Sequence, residues 1–203
     1  MIQKVTRVIL GMLIVVSCFT GIGIKNNSYK LTSYAYTSDW NTHWANKEIQ
    51  EAMDKGWVVL TDTFRPQDSI TRAEFVKIFN RAFELTETSG KVFNDTAGHW
   101  AKNEIDIAVT NGVCNGISTT EFRPNDPITR EQVAVMIANY KKIADTNLDK
   151  LNIYNDRNQV SSWAEPSVEG VIEKGYMGAG GIAFNPKNDI TRAETVVTIS
   201  RVV

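Results

Sequence analysis

Cysteine, histidine and proline are scarce in this chain: two, two and five among 203 residues. Cys18 lies in an apolar N-terminal run, so Cys114 stands alone once that run is removed. A disulfide framework is excluded, and the remaining thiol reads as a small, partly buried apolar side chain. The histidines, His43 and His99, each precede a tryptophan, and Ser162 fills the same slot elsewhere. A position that serine can take is not a required base or metal ligand, so a turn or cap role is expected. Also missing are a Ser-His-Asp arrangement, a phosphate loop, a flavin fingerprint and a calcium loop of EF-hand spacing. The acids take capping and loop positions rather than forming the paired set a glycosidase needs. Neither catalysis nor a cofactor is expected.

Basic blocks are missing too. Residues 1–35 hold Lys4, Arg7, Lys25 and Lys30 and no acid, which leaves 18 basic against 23 acidic residues in the remainder. An acidic chain of that kind is a poor nucleic-acid binder. The first acid is Asp39, and the apolar run spans Val8–Ile24. A basic start, an apolar middle and a small-residue exit at Ser33-Tyr34-Ala35 are the pattern of an export signal over 1–35. Alternatives are a retained membrane anchor, for which the run is slightly short, and a lipoprotein acylated at Cys18.

What is abundant is self-similarity. Ile-Thr-Arg-Ala-Glu at 70–74 returns as Ile-Thr-Arg-Glu-Gln at 128–132 and as Ile-Thr-Arg-Ala-Glu at 190–194. Ahead of each lie Trp44, Trp100 and Trp163, then Ile49, Ile105 and Val168, then Gly56, Gly112 and Gly175. Phe64-x-Pro66, Phe122-x-Pro124 and Phe184-x-Pro186 follow. The tryptophan-to-isoleucine spacing is 26, 28 and 27 residues, so one unit occurs three times: 36–88, 89–148 and 149–203.

Each copy reads as helix, loop, helix. Apolar residues at helical spacing mark the first helix, closed by a glycine suited to a left-handed cap. The second helix opens with a capping box: Thr71 with Glu74, Thr129 with Gln132, Thr191 with Glu194. Ile70 can staple onto Phe75 and Ile128 onto Val133, while Thr195 weakens the third staple. Isoleucine, threonine and glutamate therefore have structural jobs. Arg72, Arg130 and Arg192 do not, because the first helical position disfavours a cation. Two readings remain open. One is an ion pair with Asp39, Asp95 or Asp156, or with Asp68, Asp126 or Asp189. The other is an anionic ligand held by the guanidinium and by free N–H groups of the helix end.

These residues, in this order and three times over, resemble the S-layer homology (SLH) domain across about 36–203. The resemblance implies a mainly α fold: three helix–loop–helix repeats in a pseudo-threefold unit with a central helix bundle. It implies non-covalent anchoring to the cell wall at the cell surface. The ligand would be a secondary cell-wall polysaccharide, typically with a pyruvylated sugar, held in grooves between lobes. Arg72, Arg130 and Arg192 match the ligand arginine, and Asp39, Asp95 and Asp156 the early aspartate. Trp44, Trp100 and Trp163 match the aromatic before the first helix, with packing favoured over stacking on sugar. Gly116 and Gly178 match a loop glycine that lets backbone approach ligand. With 36–203 filled by repeats, the alternative is an exported adaptor that recruits a surface protein.

The copies differ. Copy one has Trp57-Val58-Val59-Leu60 where the loop glycine belongs, which suggests an altered groove. Copy two has Glu131 beside Arg130, an acid that could repel a carboxylate. Copy three keeps the whole motif and a loop with Gly178, Gly180 and Gly181. Its arginine site is therefore expected to be the most intact.

Overall fold

The computed structural model describes residues 38–59, 63–143, 149–178 and 181–203. The segment expected to be an export signal, with its anchor and lipoprotein alternatives, lies outside them, as do Leu60 and Gly180. Six α-helices are present among these residues, two per copy: α1 Asn46–Asp54, α2 Arg72–Ala82, α3 Lys102–Thr110, α4 Arg130–Lys141, α5 Glu165–Glu173 and α6 Arg192–Val202. Short 3-10 turns at Lys150–Ile153 and Arg157–Gln159 precede α5. The fold is mainly α, as the periodicity indicates.

Helix ends follow their sequence signals. Gly56, Gly112 and Gly175 adopt φ of +74°, +70° and +71°. The amide after each reaches back five residues, as in Trp57 N–H to the Ala52 carbonyl at 2.8 Å. That bond closes a Schellman motif on α1, and α3 and α5 end alike. All three capping boxes form on α2, α4 and α6, each stabilising by roughly 1 kcal/mol. At the weak third staple Thr195 is fully buried, and its hydroxyl donates to the Thr191 carbonyl at 2.9 Å.

The copies interlock. Helix α2 packs on α3, α4 on α5, and α6 back on α1. In each of these pairs, then, the second helix of one copy packs on the first helix of the next. At the centre the three isoleucines ahead of the caps join in a ring. Ile70 N–H donates to the Ile190 carbonyl (3.1 Å), Ile190 N–H to Ile128 (3.0 Å), and Ile128 N–H to Ile70 (3.1 Å). All three side chains are fully buried. This ring is the pseudo-threefold axis, and it explains the isoleucine of the repeated block. Burying each such side chain contributes about 2–3 kcal/mol.

The same joint uses up the helix ends. Arg72 and Ala73 donate their N–H groups to the carbonyls of Asp126 and Pro124 in copy two (both 3.0 Å). Arg130 and Glu131 donate to Asn188 and Pro186 of copy three, and Arg192 and Ala193 to Asp68 and Pro66 of copy one. Thr71, Thr129 and Thr191 take the next amide. The expectation that free N–H groups of these helices serve a ligand is thereby corrected. They hold the copies together.

Candidate functional site

Each Phe-x-Pro turn is clasped by an aspartate of its own copy. Asp39 accepts from the N–H groups of Phe64 (3.0 Å) and Arg65 (2.6 Å). Asp95 accepts from Phe122 and Arg123 (2.7 Å to the latter), and Asp156 from Phe184 and Asn185 (2.8 and 2.7 Å). Partial burial pushes the Asp95 carboxyl up, but the amides of Phe122 and Arg123 outweigh it and hold it below its ordinary value. The clasp fixes the middle residue of each turn at positive φ: Arg65 at 56°, Arg123 at 57° and Asn185 at 57°. It also turns each phenylalanine carbonyl towards an arginine of another copy.

That arginine is the one the helix dipole left unexplained. Arg72 Nε donates to the Phe122 carbonyl (2.9 Å), Arg130 Nε to Phe184 (2.8 Å) and Arg192 Nε to Phe64 (2.8 Å). Each guanidinium also lies over the ring of the same phenylalanine, at 4.7, 5.2 and 5.3 Å from the centroid. Cation and π-face add to a charge-assisted hydrogen bond.

Beyond this shared seat the three diverge. Arg130 Nη1 meets Glu194 Oε1 at 2.9 Å and Arg192 Nη1 meets Glu74 Oε1 at 3.0 Å. The partner is thus the capping-box glutamate of the next copy, none of the six aspartates considered from sequence. In each glutamate the other oxygen, Oε2, accepts the N-cap amide, at 2.9 Å in Thr191 and 3.0 Å in Thr71. Copy two has Gln132 at that position, and Arg72 has no carboxylate partner among the described residues. Yet Arg72 is the most buried of the three, only 5% exposed. Burial pulls its guanidinium below the ordinary arginine value.

Three grooves contain these arginines, and each draws on all three copies. The first, about 360 Å³, has Arg72 from copy one, Cys114, Gly116 and Gln132 from copy two, and Trp163 from copy three. The second, about 140 Å³, combines Arg130, then Gly178 and Glu194, then Trp44. The third, about 240 Å³, combines Arg192, then Val58, Val59 and Glu74, then Trp100. Burial pushes the Cys114 thiol up to about 12, so it stays protonated and is no counter-ion for Arg72.

A family profile, the S-layer homology domain, matches residues 37–76, 92–134 and 153–196. The chain belongs to the S-layer homology domain family. It is 28% identical to an endoglucanase of Bacillus sp. (strain KSM-635) over 98% of its length, but over only 22% of that protein. It is 34% identical to the surface-layer 125 kDa protein of Lysinibacillus sphaericus, over 69% of this chain and 12% of that one. A cellulosome-anchoring protein of Acetivibrio thermocellus is 27% identical, over 75% and 36%. The chain thus spans roughly a third or less of each of these larger proteins, and the enzyme is matched through its SLH region.

Within this SLH unit several sequence expectations change. Trp44, Trp100 and Trp163 do not pack inside. They are 63%, 56% and 57% exposed, at the groove rims, because the buried position belongs to the alanine that follows each of them. Asp39, Asp95 and Asp156 hold turns and do not face ligand with a free carboxylate. Gly116 and Gly178 line grooves, but their need for glycine is internal. A Cβ on Gly116 would come within 2.4 Å of Phe93, and one on Gly178 within 2.4 Å of Tyr154. Glu131 is turned from Arg130's groove and neutralised, taking Lys187 Nζ at 2.6 Å and the Ser161 amide at 3.0 Å. His43 and His99 accept the amides of Ala45 and Ala101 at 3.2 and 3.1 Å, at the start of α1 and α3.

Two carboxylates escaped notice in the sequence. Asp106 on α3 accepts the amides of Ser89, Gly90 and Lys91 (3.2, 2.9 and 3.0 Å), strapping down the linker between copies one and two. Burial pushes its carboxyl up, yet those amides prevail and hold it below its ordinary value. Glu169 on α5 does the same to Lys150 and Leu151. The available signal was an acid next to the buried residues Ile105 and Val168, where a helix faces inward.

Proposed function

We propose that this SLH unit attaches its chain to the cell wall non-covalently, by binding a secondary cell-wall polysaccharide that carries a carboxylate, such as a pyruvylated sugar. Membership of the family supports anchoring at the cell surface, as do relatives described as surface-layer and cellulosome-anchoring proteins. The observation that carries the reading is the pairing, in every groove, of a guanidinium with an exposed tryptophan from another copy. An aromatic rim suits a sugar ring, and a fork of donors below it suits a carboxylate. The single buried alanine after each tryptophan takes the core position, which keeps the indole available.

The test is calorimetric titration with a pyruvylated wall fragment beside its depyruvylated form. Binding of the first, weakened at least tenfold by loss of the ketal, supports the reading. Equal affinity for both would overturn the carboxylate. Retention on purified sacculi only while the polysaccharide is present would distinguish wall attachment from recruitment by a surface protein.

A further inference from the structure

We infer that the third residue of the second helix acts as a selector that opens or closes each groove to anions, and that Gln132 makes the Arg72 groove the open one. This rests on the reading above and adds which groove works and why. In the closed grooves one glutamate does two jobs. Oε2 of Glu74 and of Glu194 caps its own helix, and Oε1 neutralises the arginine reaching over from another copy. Gln132 still caps, with Oε1 accepting the Thr129 amide at 3.3 Å. The atom left to face the groove is then Nε2, a donor. A carboxylate oxygen there would satisfy Arg72, whereas an amide NH₂ cannot. Arg72 therefore sits 95% buried with its Nη groups unpaired among the described residues, in a groove that Gln132 also lines. A buried cation left without a counter-charge is costly unless something supplies one, and the cavity that contains it is about 360 Å³ and holds no other charged side chain.

Rival cations do not reverse the assignment. The Arg192 groove also has Lys77 and Arg81. However, the Lys77 ammonium sits over Trp100, 5.0 Å from the ring centroid, and so takes up one face of that ring. Arg81 leans on the Trp57 carbonyl at 3.5 Å. In the Arg130 groove Arg201 stands beside the existing Arg130–Glu194 pair, in the smallest of the three cavities.

The experiment exchanges the selector. Both residues cap a helix in this one chain, so Gln132→Glu and Glu→Gln changes at 74 and 194 are expected to fold, which circular dichroism checks. The probe is the pyruvylated wall fragment, measured by titration calorimetry. The expected result is one site per chain, weakened about tenfold or more by Gln132→Glu, which gives Arg72 an internal partner. The double change Glu74→Gln, Glu194→Gln is expected to add sites. Ketal-dependent binding that Gln132→Glu leaves unchanged, or three equal sites in the native chain, overturns the selector and leaves the wall-binding reading standing. Indifference to the ketal in the native chain removes that reading, and the selector with it.

Discussion

Arg72 and Arg192 occupy the same position on equivalent helices, touch equivalent phenylalanine carbonyls and lie over equivalent rings. One is discharged by a glutamate at 3.0 Å and the other is not. At the position that faces each guanidinium from the next copy, the two grooves differ by one atom, an oxygen in Glu74 and a nitrogen in Gln132. A repeat can therefore keep its backbone, caps and core while changing the electrostatics of a single groove. It also follows that a groove cannot be judged from its own copy. Copy three supplies the full motif around Arg192, but the loop that faces Arg192 is Val58-Val59 of copy one, which lacks the glycine.

The largest expected effect comes from Asp95→Ala. It strips acceptors from the amides of Phe122 and Arg123 and should destabilise by about 2–3 kcal/mol in denaturant melts. It should also abolish binding of the carboxylated saccharide, because the Phe122 carbonyl seats Arg72. Asp39→Ala should lose similar stability yet spare binding, because its turn seats Arg192. Equal binding losses would erase the contrast between the grooves. Next, Arg72→Ala should weaken binding by about 10–100-fold, whereas Arg192→Ala should change it less than threefold while lowering the melting temperature. Trp163→Ala should weaken binding by about fivefold to tenfold, with Trp100→Ala near neutral.

Acid should act through the turns and straps. The Asp95 and Asp106 carboxyls are depressed in the fold. Their stabilisation is thus complete above the unfolded value of about 4 and disappears as pH falls through the lower folded values. Melting temperature should drop below about pH 4, and Asp106→Asn should flatten that drop. The smallest effect separates the turns themselves. Arg65→Asn, which places at 65 the residue copy three has at 185, should stabilise by a few tenths of a kcal/mol, since asparagine tolerates positive φ better. The exposed Arg65–Asp68 pair it removes is worth little.

The sequence shows its local instructions plainly. Threonine and glutamate three residues apart define α2 and α6, and glycine at positive φ ends α1, α3 and α5. What it hides is partnership across copies. Helical periodicity tells that Phe75 and Ile105 face inward but not that α2 packs on α3. The capping role of Glu74 is visible in one dimension, whereas its second role, toward an arginine 118 residues away, exists only after the ring closes. The turn-holding role of Asp39, Asp95 and Asp156 is hidden for the same reason. An acid 25 residues before a phenylalanine gives no sign that it will hold that residue's amide. Large aromatics usually bury, so the exposure of the three tryptophans is equally hidden: the neighbouring alanine takes the inward place.

Because α6 returns to α1 and every groove borrows from all three copies, affinity for the wall cannot accumulate one repeat at a time. Deleting any single copy would dismantle every groove at once, so natural variation can tune this unit only by side-chain exchange inside an intact trio.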